Sequence, residues 1–188
     1  MIVSGMRKLV VTQSITLDGV IDAAGGWFSP GDDTGELAEV TSVLQQQAAD
    51  SDALLLGRIS FEEMRGFWPQ QTDDETGVSD YLDRVEKYVV STTLEDPGWE
   101  PTTILRGLDD VRALKGRDGA DIAVTGSLTL VPDLIAAGVV DEYRLFVYPV
   151  VLGRGQRLFQ DATDVPRLEL VETRPFASGI VLMRYRPL

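Results

Sequence analysis

Short apolar runs rich in β-branched residues recur along this chain and alternate with stretches whose apolar positions repeat at helical spacing. That alternation suits a mostly parallel sheet crossed over by helices, because parallel strands are buried on both faces and each crossover helix buries one stripe. Strands are predicted at residues 8–13, 53–56, 88–91, 102–105, 122–125, 142–150, 168–173 and 180–185. Leu37, Val40, Val43, Leu44 and Ala48 fall on one helical stripe, preceded by Asp33 and Glu36 at the spacing of a capping pair. Ser60 and Glu63 form a fuller capping box that predicts a short helix opening three residues after Gly57. Two further helices are predicted at 108–115 and 128–137, the second stopped by Gly138. No helical stripe separates the last two strands, so residues 175–179 predict the turn of an antiparallel hairpin. The polar, turn-rich stretch 69–79 reads as a surface loop inside the domain.

Composition narrows the picture. At 188 residues, 44% apolar and 25% charged, residues 1–188 are expected to form a single α/β domain with one sizeable core. The formal net charge of −13 argues against nucleic acid as a partner. An anionic cofactor stays compatible with that charge, because salt screens distant carboxylates beyond about 8–10 Å and leaves local donors to decide. No apolar stretch reaches the roughly 18–20 residues of a membrane span, so a cytoplasmic protein is expected. The chain contains no cysteine and no histidine, which excludes thiolate zinc sites, a Ser-His-Asp triad, a cysteine nucleophile and histidine acid/base chemistry. No metal is expected. Carboxylate, hydroxyl and lysine chemistry remain, or a cofactor that brings its own reactivity.

In open α/β sheets ligands collect beyond the carboxyl ends of the strands, where helix N-termini offer unpaired amides. In LLLGRISFEEM (residues 54–64), Gly57 lets the backbone approach a phosphate and Arg58 presents a fork for a 2′-phosphate; the plain alternative is a turn with a solvated arginine. In IAVTGSL (122–128), small residues permit close approach of a pyrophosphate, with Ser127 as cap and ligand. Pro132 there requires the following helix to start late, or the amides to form an irregular nest. Ser91, Thr92 and Thr93 offer hydroxyls at a third strand end, although such hydroxyls more often make local turns. Gly153-Arg154-Gly155 and Asp18-Gly19 read as turns. Trp27, Phe28 and Trp68 offer an apolar wall for a flat heterocycle, or ordinary core.

Taken together, SITLDGVID (14–22), LLLGRISFEEM, KYVVSTTLED (87–96) and the run from IAVTGS to GQRLF (122–159) resemble the dihydrofolate-reductase-like superfamily. The resemblance is closest to the reductase domain of bacterial bifunctional deaminase-reductases of riboflavin biosynthesis. It implies a mostly parallel mixed sheet flanked by helices, with a C-terminal antiparallel hairpin. It also implies an NADPH site: Gly57, Arg58, Ile59 and Ser60 at phosphates, Ser91, Thr92 and Thr93 near the adenosine end, and Thr125, Gly126, Ser127, Leu128 and Thr129 at the pyrophosphate. Val20 and Ile21 match the loop that covers nicotinamide, and Asp141-Glu142 looks structural, opening strand pairing that often supports a homodimer. The paired glycines common before the pyrophosphate helix are here Thr125-Gly126, and residues 61–69 lack the family's ribose-phosphate stretch. The zinc cysteines and histidine of the deaminase half do not occur in this sequence.

The activity so implied is NADPH-dependent hydride transfer to a small pyrimidine- or pterin-like heterocycle, as in 5-amino-6-(5-phosphoribosylamino)uracil reductase. Dihydrofolate reduction is the enzymatic alternative, and a non-catalytic nucleotide-binding protein is the alternative of another class. A carboxylate near the first helix would anchor the heterocycle, and Asp32, Asp33 and Glu36 are the candidates, although Asp33 also makes a good N-cap. Trp27 and Trp68 are the candidate substrate wall.

Overall fold

The run LVVTQSIT becomes the central strand β1 (Leu9–Thr16), with Leu9 and Val11 on one face, Val10 on the other, and none of the three more than 2% exposed. Burial on both faces is what its apolar, β-branched composition calls for. The computed structural model describes residues 7–23, 26–28, 37–72, 74, 76–159 and 167–188. Around β1 the chain forms α1 (Ala38–Ala49), β2 (Ser51–Gly57), α2 (Arg58–Phe67), a 3-10 turn (Trp68–Gln70), α3 (Val78–Arg84), β3 (Glu86–Val90) and β4 (Thr102–Leu105). There follow α4 (Leu108–Lys115), β5 (Asp121–Thr125), α5 (Leu130–Ala136), β6 (Glu142–Tyr148), β7 (Leu168–Pro175) and β8 (Val181–Pro187).

All eight strands join one sheet in the order β4-β3-β2-β5-β1-β6-β8-β7. From β4 to β6 every pairing is parallel; β8 and β7 run antiparallel to their neighbours. The hairpin turn closes where expected, with the Phe176 amide donating to Ile180 and Gly179 adopting φ +83°.

One face of the sheet carries a continuous core in which Val111, Leu114, Leu130, Val131 and Leu134 cover Leu9, Val11, Leu55, Ile122 and Val124. The other face is divided. Phe61 and Leu82 pack on Leu54, Leu56 and Val89 at one side, and Val40 and Val43 pack on Phe146, Phe176 and Leu182 at the other. The strip of sheet between those clusters is left for a cleft.

Three local expectations change. The stretch read as loop ends in α3, whose Val78, Tyr81 and Leu82 stand at helical spacing over little more than one turn, too short a stripe to stand out from the polar run before it. Helix α2 opens at Arg58, and Ser60 lies inside its first turn without capping it. Helix α5 opens at Leu130, which seats Pro132 in the first turn, where its missing N–H costs no hydrogen bond. Asp32, Asp33 and Glu36 lie outside the described residues.

Candidate active site

The carboxyl ends of β3, β2, β5 and β1 are consecutive along one edge of the sheet. Three strand spacings of about 4.8 Å make that row about 14 Å long. The segments predicted to bind phosphate therefore meet, since β2 and β5 are direct neighbours. They are also stitched together: the Gly57 amide donates to Ser127 Oγ at 2.9 Å, and the Ser127 amide donates to Ser60 Oγ at 2.9 Å. Those two hydroxyls, assigned from sequence to capping and ligand contact, are spent on holding two loops in register.

What remains unspent is backbone. Helix α2 has no side-chain cap at Gly57, so the first-turn amides of Arg58, Ile59 and Ser60, which have no partner within the helix, carry its partial positive charge. In the neighbouring loop Gly126 has φ +64° and Ser127 φ +53°, a left-handed pair that curls the chain back on itself. Gln13 Nε2 donates to the Gly126 carbonyl at 2.6 Å, and Gln156 Nε2 donates to the Leu128 carbonyl. A trans peptide points its N–H opposite to its carbonyl, so the anchored Leu128 carbonyl turns the Thr129 amide away from Gln156. Two helix openings without side-chain caps, at the tips of the neighbouring strands β2 and β5, offer backbone donors of the kind that a linked phosphate chain uses. These residues fit such a group.

The flanking positions are more committed. Arg58 is exposed and paired with Glu62 at 2.8 Å. Ser91 Oγ accepts from the Thr93 and Leu94 amides at 3.2 and 2.9 Å, a local turn, while Thr92 and Thr93 stay exposed. Arg106 pins this turn by donating to the Ser91 and Leu94 carbonyls at 3.0 and 2.8 Å.

At the β1 end of the row, Asp18-Gly19 makes the expected turn, with Gly19 at φ +87°. Asp18 accepts from Thr16 Oγ1 at 2.7 Å and from the Gly153 and Leu152 amides at 2.8 and 3.3 Å. The Thr16 hydroxyl and these amides lower its pKa to about 2. Val20 and Ile21 are buried, with the Ile21 amide on the Gln156 carbonyl and Val20 bridged to Arg157. The turn at 153–155 thus braces the loop at 18–21 instead of standing apart from it.

Below this edge lies a cleft of about 520 Å³, floored by Val10, Thr12, Ala123 and Thr125 and walled by α1 and α3. Trp68 lines it; Trp27 packs edge-on against Tyr148 at 5.3 Å, and its Nε1 donates to the Asp22 carbonyl at 2.8 Å. Phe28, not Trp27, is the lining residue of that pair. At the amino end of the strands Asp121 and Arg144 also face the cleft, 3.6 Å apart. Burial pushes the Asp121 pKa up against the opposing pull of Arg144. Leu37, the residue after Glu36, lines the cleft as well.

Gln13, Gln156 and Arg106 were not singled out from sequence. Each acts on a backbone carbonyl far along the chain, and such contacts leave no spacing signal. The Gln-Thr-Gly pairing across β1 and β5 becomes readable only once the two strands are known to be neighbours.

Comparison with known proteins agrees with this geometry. The profile of the RibD C-terminal domain family matches residues 7–182. Protein YyaP of Bacillus subtilis (strain 168) is 34% identical over 185 residues, covering 95% of this chain and 94% of YyaP. Among solved structures, the diaminohydroxyphosphoribosylaminopyrimidine deaminase/5-amino-6-(5-phosphoribosylamino)uracil reductase of Thermotoga maritima superposes with a TM-score of 0.64 at 17% identity, covering 97% of this chain and 57% of that one. Dihydrofolate reductase from Enterococcus faecalis, solved with NADP(H), gives 0.63 at 16% identity, covering 98% and 97%. Likeness at such low identity establishes the dihydrofolate-reductase-like fold.

Proposed function

The chain belongs to the RibD C-terminal domain family, and from that premise we propose that it is an NADPH-dependent reductase of a pyrimidine- or pterin-like ring, resembling 5-amino-6-(5-phosphoribosylamino)uracil reductase. The observation that carries this reading is the pair of helix openings without side-chain caps at the β2 and β5 tips, set at the same edge of the sheet as one end of the cleft. Arg58, Ile59, Ser60, Leu128 and Thr129 would hold the diphosphate of NADPH, Thr92 and Thr93 its adenosine end, and Val20 and Ile21 would cover its nicotinamide. Arg58 would exchange Glu62 for the 2′-phosphate, a doubly charged partner suited to its planar fork. When bound, the cofactor supplies the hydride. The protein's part is to hold the acceptor atom within about 3–3.5 Å over Thr12 and Thr125 and to keep water out with the apolar walls of the cleft. Asp33 or Glu36, just before the cleft-lining Leu37, would hold the ring nitrogens and deliver the proton that accompanies hydride transfer. Exposed Leu170 and Val171 on edge strand β7 support a homodimer in this reading.

The test is a fluorescence titration with NADPH followed by turnover with an aminopyrimidine and with dihydrofolate. The proposal expects saturable NADPH binding and oxidation dependent on the aminopyrimidine. Oxidation with dihydrofolate alone would assign the enzymatic alternative, and binding without oxidation by either would assign a non-catalytic nucleotide-binding protein. No binding at millimolar cofactor would end the reductase reading.

A further inference from the structure

The floor of the cleft carries two hydroxyls that the fold does not use. Thr12 and Thr125 are partners in the parallel β1–β5 ladder, so their Cα atoms stand about 4.8 Å apart. Each lies two residues beyond an apolar floor residue, Val10 on β1 and Ala123 on β5, and side chains at that spacing share a face. Both line the cleft half-buried, and among the described residues neither hydroxyl has a hydrogen-bond partner. Several hydroxyls nearby are committed to the fold: Ser127 Oγ accepts from the Gly57 amide, Ser60 Oγ from the Ser127 amide, Ser91 Oγ from the Thr93 and Leu94 amides, and Thr16 Oγ1 donates to Asp18. Thr12 and Thr125 hold nothing together. Valine has the same branched shape and would serve the strands equally, so the two oxygens are placed for the cleft.

Their surroundings fix what they can read. Among the described residues of the floor, the charged groups lie away from this pair. Arg144 is the ladder partner of Thr12 on its other side, but its guanidinium is drawn off: Nε donates to Glu142 at 2.7 Å, and a terminal nitrogen stands 3.6 Å from Asp121. Asp121 is four residues before Thr125, about 13 Å along β5 at the rise of a strand. A threonine hydroxyl both donates and accepts. Two of them side by side suit a ring edge with a carbonyl next to an N–H, one hydroxyl donating to the oxygen while the other accepts from the nitrogen. A ring edge with two adjacent donors is served better by a carboxylate, which accepts twice. In a mostly apolar cleft, a few polar groups so placed decide which ring is held.

We infer that Thr12 and Thr125 are a specificity-determining pair that reads a lactam edge of the substrate, an adjacent ring C=O and N–H. This role rests on the reductase reading for where the ring lies.

Two probes differ in that edge: 5-amino-6-(methylamino)uracil, and the corresponding 5-amino-4-(methylamino)pyrimidine, which has hydrogen in place of both carbonyl oxygens and no ring N–H. Each is titrated calorimetrically, with and without saturating NADPH, into the parent, Thr12→Val, Thr125→Val and the double variant. The uracil is expected to bind the parent about tenfold tighter than the plain pyrimidine, the worth of about one to two neutral hydrogen bonds. Each single variant should weaken the uracil about three- to tenfold and leave the plain pyrimidine unchanged, and the double variant should lose the whole difference. Because neither hydroxyl braces the fold, no variant should melt below the parent. Equal affinity of the parent for the two compounds, absent binding of the uracil, uracil affinity untouched by the valines, or losses shared equally by both compounds would overturn the pair's role. So would a lowered melting temperature, or a Thr125→Val loss that falls on NADPH in place of the uracil. Failure of NADPH to bind, with the uracil still discriminated in the titrations without cofactor, would instead overturn the reductase reading.

Discussion

Arg58 is the exposed guanidinium beside the uncapped first turn of α2, and its present partner Glu62 belongs to its own helix. A surface pair of that kind is worth little, so Arg58 is easily redirected to a phosphate. Arg58→Ala is expected to weaken NADPH binding by about 2 kcal/mol, roughly thirtyfold, and NADH binding hardly at all. Parallel fluorescence titrations of the two cofactors check this; equal losses would place Arg58 away from the 2′-phosphate. Lys87 tells a different story. It is wholly buried, donates from Nζ to the Leu82 and Val85 carbonyls at 2.6 and 3.2 Å, and lies 4.7 Å over the Trp99 ring. Burial lowers its pKa, against the pull of Asp83, Glu86 and Glu100. Between that lowered value and the ordinary 10.5 the unfolded chain binds more protons than the folded one, so this residue's contribution to stability rises with pH across that window. Urea denaturation as a function of alkaline pH should show the upward contribution in the parent and lack it in Lys87→Met.

At the scale of elements, the loop after β6 is tied to the turn after β1. Gly155 sits at φ +115°, and a Cβ built there would come 2.7 Å from Val20 Cγ1. Gly155→Ala must therefore displace a fully buried, rotamer-restricted valine as well as strain the backbone, at a cost of about 1–3 kcal/mol. Thermal denaturation should show the loss, and the KM for NADPH should rise because Val20 and Ile21 are proposed to cover its nicotinamide. Apolar runs or stripes identified β1 to β8, α1, α4 and α5, and the Ser60–Glu63 pair identified α2 although Ser60 does not cap it; the polar, turn-rich residues before α3 hid that helix. The three segments proposed to face phosphate were legible as strand ends. Their convergence was not, since it depends on β2, β5 and β3 being neighbours in space. Ser60 and Ser127 were read as local caps, but tertiary contact claimed both hydroxyls for the opposite loop. The cleft's polar end was invisible because Ser51, Asp121 and Arg144 meet only through the ladder.

Across the whole molecule, the antiparallel edge is fastened to the parallel sheet by one buried carboxylate. Glu142 accepts from Arg144 at 2.7 Å and from Arg184 at 2.9 Å, and Arg184 reaches on to Glu172 of β7 at 2.8 Å. Burial pushes the Glu142 pKa up, but the two guanidiniums more than reverse this, leaving it below its ordinary 4.5. The stabilisation is complete above that ordinary value and is lost as pH falls below it through the folded-state pKa. Glu142→Gln should cost about 2 kcal/mol at neutral pH, because it leaves buried Arg144 with only the longer 3.6 Å contact to Asp121, and should flatten the acid limb of stability against pH. An unchanged acid limb would mean that other carboxylates dominate it.

In the proposed reading, three separate strand tips grip one dinucleotide. Hydrogen–deuterium exchange with and without saturating NADPH reads all three at once. Exchange should slow together at residues 57–60, 91–93 and 125–129, with residues 168–175 of the far edge unchanged. Protection confined to one of those segments, or absent from all of them, would contradict it.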